Sequence, residues 1–592
     1  MDDSSGQSSV PHGFSTAKDT FDCGSEETPA SFPDQLAAPQ DTFYSPQNHA
    51  FYAQNPYETL EKSLRCIRLL KVCERDADNR PIGYKFTNWI PLDEARDTYT
   101  AISYCAGDPK NTRSIRVNDL LFNAFANLAR ALVDTCAYRK EHHGDHDPLI
   151  WADQICIDQS NPNERSHQVG LMGNIYRGAR DVAVCLSSTD RESAALDLVN
   201  ELFSTPDLPE LHNLATQLAA SFSYSFATLA SLGTELSRFH GKTNRRSREH
   251  KYVELLLLIE EPWWRRAWTF QEFQLARTAY FLYGGKAVPW YRLTAVLLGD
   301  VWFTMKRDVH MNAVKFHLNR RISPHADGLF ELLKKGHLCQ TSDKRDSVYA
   351  FLGLVESYEI HPDYENKTIE DVYTDAARCI IRFKCDLKVL GFASTSRGSL
   401  STTLPSWVPD WTAPQDNEAL RLMHILNDSI PKSHDTTEIR FLNRGKVLQV
   451  AGSFVETLDF WRESRTYEGT AVFDVKNIGC DHVAWTHNNA RPGDEIWLLD
   501  EFEVPVVLRA AIPCEGILQA NTRHRNEAPG SISSPTASLR TSGPPQYYFV
   551  STAWIGLATQ KFTRRTLERL TSEYMQSFSM DAGRVTELIH IC

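Results

Sequence analysis

Residues 149–186 read LIWADQICIDQSNPNERSHQVGLMGNIYRGARDVAVCL and decide the class of fold. Leu149–Ile157 is an apolar run of the length and composition of a buried strand. The segment Asn161–Glu164 then offers a helix start, with a capping residue, proline at the first helical position and glutamate at the third. Asp181–Leu186 is apolar again. This strand–helix–strand order predicts a parallel unit with a right-handed crossover.

The same alternation extends to both sides of this unit. Tyr99–Cys105 is a short apolar run that a Gly-Asp-Pro turn ends, and Ala279–Tyr283 is a further strand. The apolar spacing in Leu120–Tyr138 favours a helix, and Pro262 opens a second helix with the sequence PWWRRAWTFQEFQLA. We therefore predict an α/β fold, doubly wound around one mostly parallel sheet, that contains helical insertions.

Composition divides the chain into four segments. Residues 1–55 are rich in Ser, Pro, Gln and Asp, which predicts a disordered tail. Residues 56–285 carry the α/β pattern, with an insertion near 190–250. Residues 286–437 look mainly helical, and residues 438–592 turn to alternating, β-type patterns.

Charge and composition exclude several classes of protein. The formal net charge is -12, which argues against a general binder of nucleic acid or of membrane surfaces. The basic run Lys242–Lys251 is more simply explained as a solvated loop than as a binding patch. No stretch approaches the roughly 20 apolar residues of a membrane span. The 13 cysteines are scattered and odd in number, so we expect a reducing compartment, the cytoplasm.

Three sequence blocks, in this order, resemble those of the fungal heterokaryon-incompatibility (HET) domain family, namely Tyr99–Asp108 (YTAISYCAGD), Trp151–Tyr176 and Pro262–Glu272 (PWWRRAWTFQE). Two later blocks, Asp343–Leu354 (DKRDSVYAFLGL) and Pro405–Trp411 (PSWVPDW), are similar to segments that usually follow the domain in this family. The resemblance covers about 99–285 and, more loosely, 64–440. Three positions depart from the family pattern, namely Ala106 for tryptophan, Asp158 for asparagine, and Ser187 for the glycine that often ends the third strand.

The resemblance implies a part in fungal vegetative incompatibility, in which nonself recognition leads to programmed cell death. HET domains in turn resemble Toll/interleukin receptor-like (TIR) domains, whose enzymatic members cleave NAD with a glutamate on a tryptophan-containing helix. Trp268–Glu272 looks like that helix, which makes Glu272 a candidate catalytic residue and NAD a candidate substrate. Because helical geometry puts Trp268 on the same face as Glu272, Trp268 is a candidate ligand-binding residue. In the competing interpretation, Glu272 is a structural acid paired with Arg265, Arg266 or backbone.

Further candidate ligand-binding residues follow two of the predicted strands. Asp153 and Asp158 flank the end of one strand, and Gly107 and Asp108 form the turn after another, where open α/β sheets bind ligands. Aspartate is also a common turn and cap residue, so a structural role competes with ligand binding. The run His142–Asp147 crowds one loop without a distant pair to close a metal shell, and we expect no metal site.

The sequence is compatible with two mechanisms. In one, the protein is an enzyme that depletes NAD through Glu272; in the other, it is an adaptor that acts by assembly with protein partners or with itself. Membership of a secondary-metabolite gene cluster is a third use compatible with the sequence. The segment 438–592 shows no catalytic motif, and we expect it to recognise a partner or cover the core.

Overall fold

A computed structural model of the chain describes most of the residues from 48 onward. The described residues are 48–59, 65–186, 193–221, 226–242, 245–301, 309–318, 327–355, 359–384, 387–395, 403–413, 439–462, 470–475, 482–487, 490–500, 505–511, 545–557 and 587–592.

The predicted disordered tail, residues 1–55, lies mostly outside the described residues. Its described end contains the helical turn α1 (His49–Tyr52), in which Phe51 and Tyr52 are buried. The Asn48 side chain bonds both the amide and the carbonyl of Asn123. The last residues of this segment are therefore part of the folded unit.

The first part of the chain builds one large sheet from short strands. In chain order the strands are β1 (Cys66–Ile67), β2 (Leu70–Arg75), β3 (Pro81–Phe86), β4 (Ile90–Pro91), β5 (Tyr99–Tyr104), β6 (Thr112–Val117), β7 (Leu120–Phe125), β8 (Leu149–Trp151), β9 (Asp181–Cys185), β10 (Ala279–Tyr283) and β11 (Lys286–Pro289). Nine of them form a sheet in the order β11-β10-β9-β5-β8-β2-β3-β6-β7, while β1 pairs with β4.

The four predicted strands lie side by side in this sheet. β10, β9, β5 and β8 are neighbours and all three pairings between them are parallel, which confirms their grouping. The prediction of a mostly parallel sheet is wrong for the nine-stranded sheet as a whole, because β11, β2 and the hairpin β6–β7 add antiparallel pairings. The sheet is mixed, with a parallel centre.

The helices are interspersed with these strands and continue after them. They are α2 (Leu92–Ala95), α3 (Ala126–His143), α4 (Asp153–Cys156), α5 (Pro162–Gly178), α6 (Ala195–Phe203), α7 (Pro209–Ser221), α8 (Phe226–Lys242), α9 (Arg245–Glu260), α10 (Ala267–Leu275), α11 (Trp290–Val296), α12 (Val309–Leu318), α13 (Asp327–Gly336), α14 (Asp346–Leu352), α15 (Ile369–Lys384) and α16 (Lys388–Thr395). The described part of the insertion is mainly helical, and α9 covers most of the basic run that we expected to be a loop.

Local signals explain where the sequence prediction succeeds and where it fails. The Asn161 side chain accepts bonds from the amides of Asn163 and Glu164 at 3.1 and 3.2 Å, which confirms the predicted cap of α5. The predicted helix over Leu120–Tyr138 begins only at Ala126, because Asn118 and Asp119 (φ 51° and 64°) form a tight hairpin turn between β6 and β7.

Two further element boundaries differ from the prediction. The strand expected over Leu149–Ile157 ends at Trp151, and α4 follows it as a single helical turn. The helix expected from Pro262 is a 3-10 turn, Pro262–Arg265, that an extended Arg266 (ψ 133°) separates from α10. Arg265 and Ala267 exchange backbone bonds with Gln340, a parallel bridge that holds the break.

The last part of the chain is β-rich, as predicted. Its strands are β12 (Arg440–Leu442), β13 (Val447–Arg462), β14 (Thr470–Val475), β15 (His482–His487), β16 (Glu495–Leu499), β17 (Val506–Ala510), β18 (Gln546–Leu557) and β19 (Glu587–Ile591). The order β13-β14-β15-β18-β17-β16 closes on itself because β13 also pairs β16, which makes a small barrel. Within the described part of the chain, none of the helices is both long and apolar enough to span a membrane.

Candidate functional site

The site lies where the parallel strands end and where the helical extension packs on α5 and α10. Gly173 of α5 meets Gly353, which follows α14, so closely that a Cβ on Gly173 would lie 2.8 Å from the Gly353 Cα. The Gly353 amide also donates to Gln271 Oε1 of α10 at 2.9 Å. Small residues allow this approach, and the extension therefore forms part of the same packed body.

Glu272 is buried beneath this layer, with 2% of its surface exposed. The Ser103 hydroxyl donates to its Oε2 at 2.5 Å, and the Trp263 indole donates to Ser103 Oγ at 2.9 Å. Tyr176 also contacts the carboxyl group, while its hydroxyl donates to the Ile102 carbonyl at 2.9 Å. Glu272 thus sits in a hydrogen-bonded network at the end of β5.

The charge state of Glu272 follows from this burial. Burial, with a smaller contribution from the nearby Asp153, raises the pKa of Glu272 to about 8, although Arg266 and the hydrogen bond from Ser103 act to lower it. The carboxyl group is therefore largely neutral at pH 7. Because the Tyr176 proton is committed to a backbone carbonyl, the phenolic oxygen can accept the proton that a neutral Glu272 keeps.

Arg266 is a partly buried cation of the site. Its Nη1 donates to the Tyr104 carbonyl at 2.9 Å, at the last residue of β5, and it interacts with both Asp153 and Glu272. Burial raises the pKa of Asp153 and Arg266 lowers it. The single positive charge of Arg266 thus faces two carboxyl groups. If Glu272 keeps its proton, that charge is balanced by the negative charge of Asp153.

A small cavity lies next to this cluster. It has a volume of about 30 Å³ and is lined by Asp153, Ile157, Gln159, Arg165, Val169, Met172, Trp268, Asp346 and Tyr364. Two of the candidate ligand-binding residues, Asp153 and Trp268, therefore face one space, whereas Glu272 is not among the residues that line it. A space of this size holds one or two waters and is far too small for a dinucleotide.

Asp346 and Tyr364 are site residues that we did not predict. The Tyr364 hydroxyl donates to Asp346 Oδ1 at 2.5 Å, and the Arg165 guanidinium stacks 4.2 Å from the Tyr364 ring centre. Burial and the nearby Asp343 raise the pKa of Asp346 to about 6. Asp346 lies in the block Asp343–Leu354 that resembles the HET family, but the local sequence does not show that this block packs against Trp268.

The turn of Gly107 and Asp108 has a structural explanation. Gly107 has a φ of +74°, and a Cβ there would lie 2.8 Å from Asn127 Nδ2, which donates to the Cys105 carbonyl at 2.8 Å. Asp108 Oδ1 accepts the Lys110 amide at 2.9 Å. Glycine is therefore required by the backbone, and the aspartate stabilises the turn after β5.

Asp158 and Glu164 hold the loop that precedes α5. Asp158 Oδ1 accepts both the amide and the hydroxyl of Ser160, at 3.0 and 2.6 Å. Glu164 accepts the Asp158 amide at 2.8 Å and forms a buried ion pair with Arg68, also at 2.8 Å. The Arg68 guanidinium in turn lies 4.0 Å from the Trp89 ring centre. These contacts fit the structural role that competed with ligand binding.

The histidine-rich run His142–Asp147 closes α3. Gly144 adopts a left-handed φ of 61° at the helix end, and Asp145 accepts bonds from Arg139 and Arg180, both at 3.1 Å. Among the residues that the structure describes, no cluster of three or more His, Cys, Asp or Glu side chains could hold a metal ion.

Residues 99–272 match the family model described as heterokaryon incompatibility protein (HET). These residues supply seven of the nine that line the small cavity, and all of the contacts made by Glu272 that are described above. Because of this match, residues 99–272 are called the HET domain; they belong to a mixed α/β unit whose site lies at the end of its parallel strands.

A curated relative extends the similarity beyond this domain. The chain is 28% identical over 372 residues to heterokaryon incompatibility protein 6, OR allele, of Neurospora crassa. The aligned part is 53% of this chain and 53% of that protein, so the chain spans about half the length of the relative. No solved structure shows significant similarity to the chain.

Proposed function

We propose that this protein acts in fungal vegetative incompatibility, where recognition of nonself leads to growth arrest and programmed cell death. The observation that carries this proposal is the HET domain at residues 99–272. The similarity to an incompatibility protein of Neurospora crassa, over about half of each chain, supports it. The cytoplasm is the compartment that this role and the scattered cysteines favour.

The mechanism that the geometry favours is assembly with protein partners or with further copies of the chain. Glu272 is buried and bonded to Ser103, and its elevated pKa leaves it mostly uncharged at neutral pH. A neutral carboxyl group cannot stabilise the positive charge that develops on a ribose during glycosidic cleavage. In this mechanism, Glu272 and the tryptophans beside it hold α10 against the sheet.

NAD cleavage by a TIR-like fold is the competing mechanism. Its support is that Asp153 and Trp268 line one cavity at the end of β8, where open α/β sheets bind nucleotides. A dinucleotide would require this cavity to open well beyond its volume of about 30 Å³. Catalysis would also require Glu272 to lose its proton and reach the enlarged space.

A direct comparison separates the two mechanisms. Purified protein is incubated with NAD beside Glu272→Ala and Glu272→Gln, with nicotinamide release followed by chromatography. The matched control is Glu141→Gln, which changes an exposed glutamate of α3. Assembly predicts no release by any of these proteins above a blank without protein. Release by the wild type that both Glu272 variants lose, and that the control keeps, would establish the enzyme mechanism.

The same variants test the role in cells. Expression in a fungal strain that carries the matching incompatibility partner should cause growth arrest. If assembly is the mechanism, Glu272→Gln should preserve cell death at equal amounts of folded protein. Loss of death in that variant alone would favour catalysis, and absence of death with the wild type in every partner background would refute the incompatibility role itself.

A further inference from the structure

A second concave site lies between the helical extension and the barrel, away from the HET domain. It is a groove of about 590 Å³, within the range of roughly 300–1,000 Å³ typical of small-molecule sites. Its walls come from the segment Pro405–Trp411, from the turn before β13 and from β18. None of these residues belongs to the stretch that matches the HET family model.

The motif PSWVPDW builds one wall of the groove. The Ser406 amide donates to the Cys592 carbonyl at 2.9 Å, and the Phe549 amide donates to Ser406 Oγ at 2.8 Å. Trp407 is fully buried, and its indole donates to the Lys446 carbonyl at 3.1 Å. The motif therefore fixes the backbone of Lys446 at the rim of the groove.

The turn that carries Lys446 has an unusual backbone. Asn443, Arg444 and Gly445 adopt φ values of 48°, 56° and 90° in succession, and the Lys446 amide donates to the Asn443 carbonyl at 3.1 Å. Left-handed conformations at two residues other than glycine are costly, and such positions concentrate at binding sites. The turn places Asn443 and Lys446 in the lining of the groove, directly before β13 starts.

Among the side chains that line the groove, the exposed ionic group is a cation. Lys446 is exposed, whereas Asp410 is 2% exposed and its Oδ1 accepts both the amide and the hydroxyl of Thr412. Arg509 also lines the groove, and Asp494 binds its guanidinium at 2.8 and 2.9 Å. An anion that enters from solvent therefore meets Lys446 first, with the Arg509–Asp494 pair beside it.

The floor of the groove is apolar. Leu404, Val408, Phe549 and Val550 are buried there, while Gln546 lies exposed at the rim. We propose that this groove binds a small organic acid with an apolar body, whose carboxylate pairs with Lys446 and whose body covers the floor. The proposal gives the motif PSWVPDW a role as the wall of a ligand site and does not depend on how the HET domain acts.

The test uses the whole chain and the fluorescent anion 8-anilinonaphthalene-1-sulfonate as probe. We expect one saturable site from which sodium decanoate displaces the probe, and decyltrimethylammonium at the same concentration does not. Lys446→Glu should weaken probe binding by at least about tenfold, which corresponds to about 1.4 kcal/mol. Lys71→Glu, the same change at an exposed lysine of β2, should bind as the wild type does.

A second variant keeps the test independent of charge effects. Gln546→Trp places a large ring at the rim and should reduce the number of sites occupied, with the far-ultraviolet circular dichroism spectrum unchanged. Probe affinity that is equal in the wild type, Lys446→Glu and Gln546→Trp would overturn the proposal. Equal displacement by decanoate and by decyltrimethylammonium would also overturn it, because the site would then lack a preference for the acid.

Discussion

Glu272→Gln should make the protein more stable at neutral pH, although it changes a buried residue of the candidate site. Glutamine keeps the shape of the side chain, accepts the bond from Ser103 and supplies the N–H that can donate to Tyr176. Folding of the wild type at neutral pH requires Glu272 to take up a proton that the unfolded chain lacks. Glutamine does not ionise, so the variant folds without this proton uptake. The variant therefore separates the shape of Glu272 from its ionisation.

The magnitude follows from the shift in pKa. Glu272 has a pKa of about 8 in the folded protein and an ordinary value of 4.5. Between these values the folded state binds more protons than the unfolded state, so wild-type stability falls as the pH rises from 4.5 to 8. At pH 7 this loss is roughly 3 kcal/mol, at about 1.4 kcal/mol for each pH unit. The variant lacks this loss.

Urea unfolding at pH 5.0, 7.0 and 8.5, followed by tryptophan fluorescence, measures the difference. The transition midpoints of wild type and Glu272→Gln should nearly coincide at pH 5.0 and separate at pH 7.0, with the variant more resistant. Glu141→Gln should follow the wild type at every pH. A variant that is less stable than the wild type at pH 7.0 would refute the reasoning, because Glu272 would then be the ionised partner that Arg266 requires.

Three further substitutions test the packing around the site, each by urea denaturation. Glu164→Gln leaves the buried Arg68 without its carboxylate partner and should cost about 3 kcal/mol; an unchanged midpoint would show that the pair contributes nothing. Gly353→Ala places a Cβ 2.8 Å from Gln271 Cδ and should lower the free energy of unfolding by about 1–3 kcal/mol. A loss of only about 0.3 kcal/mol would contradict the close contact. Asn161→Ala removes the cap of α5 and should cost about 1 kcal/mol, most of which Asn161→Ser should restore.

Much of the secondary structure of the HET domain could be predicted from local sequence patterns. The strands at Tyr99, Leu149, Asp181 and Ala279 were each predicted from apolar runs, and their parallel pairing followed from the helices between them. The cap at Asn161 needed only neighbouring residues, because its side chain bonds amides two and three positions ahead. Structural features that depend only on residues close together in the chain can be predicted from the sequence.

Other elements were missed because tertiary contacts or turn chemistry overrode the pattern. The helix predicted from Pro262 breaks at Arg266, where a bridge to Gln340 replaces helical bonds. The apolar spacing of Leu120–Tyr138 suggested a helix throughout, although the tight turn at Asn118 makes its first residues a strand. The spacing of apolar residues does not show that a segment distant in the chain supplies hydrogen-bond partners for the backbone.

The sequence by itself determined the strand–helix order, the HET resemblance and the candidates Asp153, Trp268 and Glu272. The tertiary structure alone decided what surrounds them. It brings Ser103 to Glu272 across 169 residues and adds Asp346 from the helical extension to the cavity of Asp153. The ionisation of a carboxyl group depends on its desolvation and on the charges around it. Both are set by residues far away in the chain, so no local pattern records them.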